Sequence, residues 1–252
     1  FGLLAGAARK KPEELRTRTE SIRKVEKIVG PGNAYVAAAK KIVYGQVAID
    51  MVAGPSEVMV IADEFSNPAW IAADLLSQAE HGSGLEQAVL VTDSEVRLKE
   101  IKEEIEKQSK SLTRQGPLSK VIENGMYLVL CKNLDEACEI ASNYAPEHLE
   151  LQIRTPRAYC RKIKAAGAIF MGGNTPEPVG DFTAGPSHVL PTGGTAKFAS
   201  PLSVDDFVKK SQYTYYTRDA FRRVADDIAL FAEQEELKGH ARSCLIRFED
   251  EK

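Results

Sequence analysis

The chain has 252 residues, of which 43% are hydrophobic and 27% are charged, a composition that is ordinary for a globular protein of one large or two modest domains. Its 33 Lys and Arg residues oppose 36 Asp and Glu residues, and the net charge of −3 argues against a nucleic-acid-binding surface. No apolar run approaches the length of a membrane span, so we expect no membrane insertion.

The N-terminus is apolar over residues 1–8 and then turns basic, which is the reverse of a signal peptide, so we expect a cytoplasmic protein. The chain begins with Phe1 rather than Met, which fits a piece of a longer protein. The cysteines form no C-x-x-C pair, which predicts reduced thiols rather than a cysteine zinc site. They are Cys131, Cys138, Cys160 and Cys244.

Short β-branched runs alternate with amphipathic stretches along the first half, a pattern typical of an α/β protein. Asn33 and Asn67 are predicted helix N-caps, Pro68 suits a first helical position, and Gly45 and Gly82 suit helix ends. Strands are predicted over 25–29, 47–51, 58–62 and 88–92, and helices over 34–44, 70–80 and 94–109.

In the second half, strands are predicted over 126–131, 149–153 and 168–171, and helices over 134–144, 156–166, 203–211 and 218–235. Residues 172–195 are rich in Gly, Pro, Thr and Ser and are predicted to be a long loop, which in a compact domain is often functional. We therefore predict an α/β fold, an incomplete Rossmann-like open sheet flanked by helices, with a small helical C-terminal tail domain that begins near Ser200.

Gln78 and His81 lie three residues apart at the end of helix 70–80, so both side chains point to one face. That face continues from Ile71 and Leu75, which we expect to be buried. Unpartnered buried polar groups cost about 1–3 kcal/mol each, and a metal ion or a ligand would supply partners. The alternative is that His81 caps the last carbonyls beside Gly82, where a histidine is favourable without a metal.

Glu147 and His148 follow Pro146, which disfavours helix at the preceding residue, and stand at the head of the next strand. A carboxylate and an imidazole are the commonest general bases, so the pair is a candidate for proton transfer. The alternative is a surface glutamate beside a hydrogen-bonded histidine.

Acidic residues and histidines mark the segments that follow. Glu177 and Asp181 lie in the loop 172–195, where an Asp usually forms an Asx turn but can equally bind a metal. His188 is expected at a loop-to-strand transition. Glu235 and His240 stand at the end of the last predicted helix, where capping is the simpler interpretation.

The loop Gly30-Pro31-Gly32-Asn33 lies between a strand and a helix, where backbone N–H groups gather an anion. It lacks the G-x-G-x-x-G spacing, so taken alone it is a weak nucleotide signal.

Taken together, seven segments resemble the histidinol dehydrogenase family in their order and spacing, from about Thr19 to the end of the chain. They are Ile28-Val29-Gly30-Pro31-Gly32-Asn33-Ala34, Ala53-Gly54-Pro55-Ser56-Glu57, Asp74-Leu75-Leu76-Ser77-Gln78-Ala79-Glu80-His81, Ala145-Pro146-Glu147-His148-Leu149, Gly180-Asp181, His188-Val189-Leu190-Pro191-Thr192 and Leu202-Ser203-Val204-Asp205-Asp206-Phe207.

The resemblance implies a zinc-dependent oxidation of L-histidinol to L-histidine through histidinal, with two NAD. It implies proton acceptors, Glu147 and His148, and a cofactor contact, Asn33. The implied zinc ligands are Gln78, His81, Asp181 and His240, the last from the partner subunit of a homodimer with shared sites. The implied substrate contacts are Ser56, Gln78, His81, His148, Asp181, His188, Glu235 and His240.

The resemblance also implies three regions: 1–55, a remnant of the NAD-binding α/β domain; 56–200, the catalytic zinc-binding α/β domain; and 201–252, a helical segment that contacts the second subunit. Family members extend upstream of Phe1. Residues 4–18 differ from the family, because basic residues 8–12 stand where a glutamine that contacts NAD is expected.

Three hypotheses follow. The chain is a working histidinol dehydrogenase, a catalytically inactive relative that binds metal or dimerises, or a related zinc dehydrogenase for another small amino or sulfonated alcohol.

Overall fold

The computed structural model describes residues 25–251. The chain forms two compact units, one that ends at Phe207 and a second, Val208–Lys252. The departure from the family at residues 4–18 lies outside the described residues, as does part of the predicted region 1–55. The predicted regional boundaries at residues 55 and 200 stay predictions.

The described part of the first unit opens with a two-stranded parallel sheet, β1 (Lys27–Ile28) and β2 (Ala48–Ile49), joined by helix α1 (Ala34–Val43). The Asn33 side chain accepts hydrogen bonds from the backbone N–H groups of Tyr35 and Val36, which confirms the predicted N-cap. Both strands are shorter than the runs 25–29 and 47–51 predicted from the sequence.

A five-stranded parallel sheet forms the core of this unit. Its strands are β3 (Glu57–Ala62), β4 (Gln87–Thr92), β5 (Met126–Leu130), β6 (His148–Gln152) and β7 (Ala168–Met171). They lie in the order β5-β4-β3-β6-β7, and every neighbouring pair is parallel. The first strand is central and the order reverses between β3 and β6, as in half of a doubly wound sheet. The predicted α/β class is confirmed.

Helices connect the strands. They are α2 (Pro68–Ala79), α3 (Glu95–Gln108), α4 (Gln115–Asn124), α5 (Leu134–Tyr144), α6 (Pro156–Cys160) and α7 (Glu177–Phe182). Helix α2 begins as predicted, with Pro68 in its first turn and the Asn67 side chain accepting from the N–H groups of Ala69 and Trp70. Short 3-10 turns lie at Ser109–Ser111, Thr195–Lys197 and Val204–Phe207.

The helices differ from the prediction at four places. Helix α4 was not predicted, and Gly116 and Pro117 lie in its first turn, where Pro is tolerated. Helix α6 ends at Cys160 rather than 166, since Ile163 and Ala166 turn inward against the core. Within the predicted loop 172–195 lie α7 and the 3-10 turn Thr195–Lys197.

The helix predicted over 203–211 is only the 3-10 turn Val204–Phe207. Residues 208–217 are all exposed, so no packing stabilises a short helix there. The strand expected after His188 is also absent from the described residues, and Pro191, which has no N–H to pair in a sheet, follows closely.

Apolar side chains cover both faces of the large sheet. Val58, Val60 and Leu90 pack on one face with Ile71 and Leu75 of α2. The opposite face carries Met59, Ile61, Leu149 and Leu151, packed against Ala137 and Ala141 of α5. Burial of such side chains stabilises the fold by roughly 1.5–3 kcal/mol each. The central strands are therefore buried on both sides.

The second unit contains α8 (Arg218–Gln234), α9 (Lys238–Leu245) and a 3-10 turn, Ile246–Glu251. Helix α8 confirms the predicted helix 218–235, and α9 was not predicted. Small side chains let the two helices approach, since Ala229 and Ala232 of α8 form one buried cluster with Ala241 of α9. None of the helices in the described part of the chain is long and apolar enough to cross a membrane.

Candidate functional site

Strand β6 has a polar face inside the protein. Its residues His148, Glu150 and Gln152 alternate with Leu149 and Leu151, so the three polar side chains share one side. Glu150 is fully buried and His148 is 3% exposed. All five residues of β6 are buried, so this face lies in the interior and each polar group on it needs a partner.

Helix α2 packs on that polar face. Gln152 donates a hydrogen bond to Asp74, which lies one turn before Gln78 on the same side of the helix. The helix follows β3 and leads back toward the start of β4, so its C-terminal end lies at the edge where the parallel strands begin. Gln78 and His148, the first residue of β6, are therefore at the same edge of the sheet.

The Gln78 side chain is fully buried, and neither its amide oxygen nor its amide nitrogen has a hydrogen-bond partner. His81 lies just after the helix, is exposed, and its backbone carbonyl accepts from Arg114 at 3.1 Å. An orphaned amide of this kind is the environment that a metal ion or ligand would satisfy.

His148 has a defined tautomer. Its Nδ1 atom lies 3.0 Å from the backbone carbonyl oxygen of Glu57, and a carbonyl oxygen only accepts hydrogen bonds. Burial is the largest cause that lowers the pKa of His148, which favours the neutral ring. Nδ1 therefore carries the proton and Nε2 the lone pair. Nε2 is buried and has no hydrogen-bond partner, so it is available as a base.

The side chains of Glu147 and Glu57 each accept a hydrogen bond from the backbone N–H of the other residue. The Glu57 N–H donates to Glu147 Oε2 at 3.0 Å, and the Glu147 N–H donates to Glu57 Oε2 at 3.4 Å. The other Glu57 oxygen accepts from the N–H of Gly193 at 3.0 Å. Burial raises the pKa of Glu147 to about 8, against hydrogen bonds from the Glu57 backbone and the Ser56 side chain that lower it. A carboxyl with this pKa can exchange a proton near neutral pH.

Helix α7 brings two more carboxylates to this edge. Glu177 Oε1 lies 3.9 Å from His148 Nε2. His148, Glu177 and Asp181 offer ligand atoms that all lie within 4.8 Å of one another. Burial and the neighbouring Asp181 raise the pKa of Glu177 to about 8. A cation in this cluster would relieve that repulsion, and two carboxylates with one imidazole form a reasonable divalent-metal donor set.

The remaining predicted site residues lie on other elements of the two units. Ser56 precedes β3 and contacts Glu147, and His188 is exposed in an irregular segment. Asn33 caps α1 beside the small sheet. Glu235 and His240 are exposed residues of the second unit, in the turn after α8 and in α9. The structure thus brings Ser56, Glu147, His148 and Asp181 together, and Gln78 lies at the same edge.

Sequence reasoning left four residues of this edge out of the predicted site: Glu57, Asp74, Glu150 and Glu177. The residues His148-Leu149-Glu150-Leu151-Gln152 alternate between polar and apolar, which places Glu150 on the same face of the strand as His148. Such a polar face is normally expected to point to solvent, so the pattern alone did not indicate a buried site. Glu177 was noted only as an acidic loop residue, and it lies in a helix.

At the opposite edge of the sheet, a carboxylate joins the ends of two strands. Asp63, just after β3, accepts hydrogen bonds from the N–H groups of Phe65 at 3.0 Å and Arg154 at 2.7 Å. It ties the ends of β3 and β6 together at the carboxyl edge, where parallel sheets usually bind ligands. Glu147, His148, Glu177 and Asp181 lie at the amino edge instead.

Comparison with known proteins agrees with the motifs. The sequence profile described as histidinol dehydrogenase matches residues 15–248. The chain is 52% identical over 233 residues to a histidinol dehydrogenase of Listeria monocytogenes, which covers 92% of this chain and 54% of that relative. It is 53% identical over 230 residues to one of Clostridium acetobutylicum, with 91% and 53% covered. The chain spans about half the length of these curated relatives.

A crystal structure of histidinol dehydrogenase from Elizabethkingia anophelis is similar in fold, with a TM-score of 0.86 and 39% sequence identity. The match covers 95% of this chain and 55% of that one. The sequence profile, the curated relatives and the solved structure all point to one conclusion, and the chain belongs to the histidinol dehydrogenase family.

Proposed function

We propose that this chain forms the zinc-binding and proton-transferring part of an NAD-linked enzyme that oxidises L-histidinol to L-histidine through histidinal, a step of histidine biosynthesis in the cytoplasm. The observation that carries the proposal is that the Gln78 amide and His148 Nε2 are buried without hydrogen-bond partners. His148 also lies beside the carboxylates of Glu147, Glu177 and Asp181. Membership of the family supplies the reaction.

The donor set fits zinc. We propose Gln78, His81 and Asp181 as ligands, with His240 of the partner subunit completing the site in a homodimer. The amide oxygen of Gln78 has no other partner, and Asp181 lies in the carboxylate cluster beside His148. When bound, zinc supplies a fixed positive charge that holds the amino and imidazole nitrogens of histidinol.

His148 is the proposed base of the first oxidation. Its Nε2 lone pair would accept the proton of the substrate hydroxyl. NAD, when bound, would supply the hydride acceptor that completes the oxidation to the aldehyde. The Glu57 carbonyl keeps the Nδ1 proton in place, so the ring presents one lone pair in one direction. Burial keeps the imidazole neutral, because it lowers the pKa of His148.

Glu147 is the proposed base of the second oxidation. It would take a proton from the water that adds to the aldehyde. A second NAD would supply the hydride acceptor, and the remaining acidic proton would leave to solvent to give the carboxylate. The pKa of about 8 for Glu147 belongs to the metal-free site. A cation nearby would favour the charged form and lower that pKa, so the carboxylate would be ready at neutral pH.

Other residues bind rather than react. We propose that Ser56, His188 and Glu235 contact histidinol. Asn33 is the proposed contact to NAD, offering its side-chain amide nitrogen because its Oδ1 already caps α1.

The test is NADH formation from L-histidinol by the zinc-loaded chain and by His148→Ala. We expect formation in the parent chain and a rate lower by about 10²–10⁴ in the variant, the usual contribution of a general base. A strong preference for another small amino alcohol would contradict the proposed substrate. No NADH from any alcohol would contradict oxidation by this chain.

A further inference from the structure

Glu150 is a fully buried carboxyl that the proposed chemistry does not use. It lies in β6 two residues after His148, on the same face of the strand. A leucine would fit a strand that is buried on both sides, whereas an acid there must find hydrogen-bond partners. The partners that Glu150 has therefore indicate its role.

One oxygen of Glu150 accepts a hydrogen bond from the backbone N–H of Glu177, with an N–O distance of 2.8 Å. The other accepts from Gln152 Nε2 at 2.8 Å, and Gln152 also donates to Asp74 of α2. The carboxylate thus connects the first residue of α7 to β6, and through Gln152 to α2.

Helix α7 has no capping side chain of its own. Its N-cap residue, Pro176, makes no side-chain hydrogen bond, and the helix is only six residues long. Helices this short are not stable by themselves and depend on contacts with the rest of the protein. Glu150 supplies the missing acceptor from another element.

A second contact holds the other end of α7. Gly180 lies so close to the Phe170 ring that an added Cβ would meet the ring carbons at 2.6 and 2.7 Å. Phe170 also contacts the His148 ring, with 6.0 Å between centroids. Between the two contacts, α7 carries Glu177 and Asp181, one helical turn apart, toward His148.

We propose that Glu150 is a positioning residue, which anchors α7 so that Asp181, the proposed zinc ligand of that helix, is held beside His148 in a geometry that binds the metal. The inference rests on the proposed zinc site. Glu150 does not contact Asp181 but fixes its orientation through α7. Residues that orient metal ligands from outside the coordination sphere commonly affect metal affinity in this way.

The first test is zinc affinity of the 252-residue chain, measured by competition with a chromophoric chelator. Glu150→Leu removes both acceptors, and we expect zinc affinity about 10–100-fold weaker. Glu150→Gln keeps an acceptor for the Glu177 N–H and should restore most of the affinity. If Glu150→Leu does not fold, Glu150→Asp withdraws the acceptor by one methylene and should weaken zinc binding in the same direction.

Asp63 provides a matched control, because it is also a buried carboxylate with two hydrogen-bond donors, here the backbone N–H groups of Phe65 and Arg154 at the opposite edge of the sheet. Asp63→Leu should lower Tm without changing zinc affinity. Unchanged affinity in the Glu150→Leu and Glu150→Asp variants would overturn the proposal. An equal loss in Asp63→Leu or in Glu150→Gln would overturn it as well.

A second test does not depend on zinc. Amide hydrogen exchange of the peptide that contains Glu177–Phe182 is measured in the metal-free chain. We expect faster exchange in Glu150→Leu or Glu150→Asp, and parent-like exchange in Glu150→Gln and Asp63→Leu. Unchanged exchange overturns the anchor. If the parent chain binds no zinc while exchange behaves as expected, the metal proposal fails and the anchoring of α7 stands.

Discussion

The Nδ1 atom of His148 lies 3.0 Å from the backbone carbonyl oxygen of Glu57, and this contact decides which nitrogen of the ring can act as a base. Glu57 begins β3 and His148 begins β6, and Val58 and His148 are partners in the register of the two strands. The hydrogen bonding of the sheet edge therefore fixes the tautomer. The lone pair on Nε2 faces Glu177 and Asp181 rather than the backbone.

The roles of the two proposed bases, His148 and Glu147, can be distinguished by substituting Glu147 alone. Glu147→Gln removes the base of the second oxidation and leaves His148 Nε2 intact, so the first oxidation should continue while the second slows by about 10²–10⁴. The yield of NADH per histidinol should fall from two toward one, with histidinal accumulating. The measurement is NADH and histidinal in single-turnover reactions. Two NADH formed at the parent rate would contradict the role of Glu147.

The metal-free site should lose stability as pH rises. Glu147, Glu150 and Glu177 have pKa values raised to about 8 from 4.5, chiefly by burial. The folded state therefore holds protons that the unfolded state has released, and the stabilisation present below pH 4.5 is lost as pH approaches 8. Because the pKa of His148 is lowered from its usual 6.5, this residue makes the free energy of unfolding rise with pH below 6.5. The effect of the carboxyl groups is therefore measured above pH 6.5.

The pH dependence of stability is measured by urea unfolding in the presence of a chelator, from pH 6.5 to about pH 8. We expect the free energy of unfolding to fall across this window, and to fall less steeply in Glu150→Gln, which has one titrating group fewer. A free energy of unfolding that rises with pH in the parent chain would refute the prediction.

Gly180 tests the packing beside the metal cluster. Gly180→Ala places a methyl group against the Phe170 ring, and overpacking of this kind costs typically 1–3 kcal/mol. Helix α7 should shift away from His148, so zinc affinity should also fall. The control is Gly116→Ala in α4, where an added Cβ meets nothing within 4 Å. Parent-like zinc affinity in Gly180→Ala would show that the close approach is not required.

The loop before α1 is held by a buried ion pair. Lys40 Nζ lies 2.6 Å from Asp50 Oδ1 and also donates to the Gly30 carbonyl, while the Gly30 N–H donates to Asp50 Oδ2 at 2.7 Å. Lys40→Met leaves the Asp50 charge buried and unpaired, which should destabilise the chain by about 3–5 kcal/mol. The exposed neighbour Lys41 gives the control variant Lys41→Met. Equal unfolding free energies for the two variants would contradict this.

Much of the fold could be predicted from local sequence. Asn67 and Pro68 mark the start of α2, and Asn33 marks that of α1, because capping chemistry is encoded within a few residues. Helix α7 could not be predicted in this way. Pro178 and Gly180 lie inside it, and its contacts with Glu150 and Phe170 come from distant strands.

The candidate site was predictable only in part, for the same reason. Histidines and acids in marked segments, such as His148 and Asp181, could be recognised by type and motif. Glu57 begins an apolar run and carries no pattern of its own. Glu150 could not be recognised, because a polar residue in an alternating strand normally faces solvent. Their burial follows from the central places of β3 and β6, which is a property of the strand order.

The most direct test of the account is the binding of L-histidinol by the chain with and without zinc, measured by calorimetry. Gln78→Leu should weaken histidinol binding as zinc removal does, because Gln78 is a proposed zinc ligand. The control variant is Gln108→Leu, since Gln108 is a half-buried glutamine of helix α3. We expect the zinc-loaded parent chain and zinc-loaded Gln108→Leu to bind histidinol. The zinc-free parent chain and Gln78→Leu should bind it about tenfold more weakly, a difference in binding free energy of about 1.4 kcal/mol. Equal histidinol binding with and without zinc would contradict it.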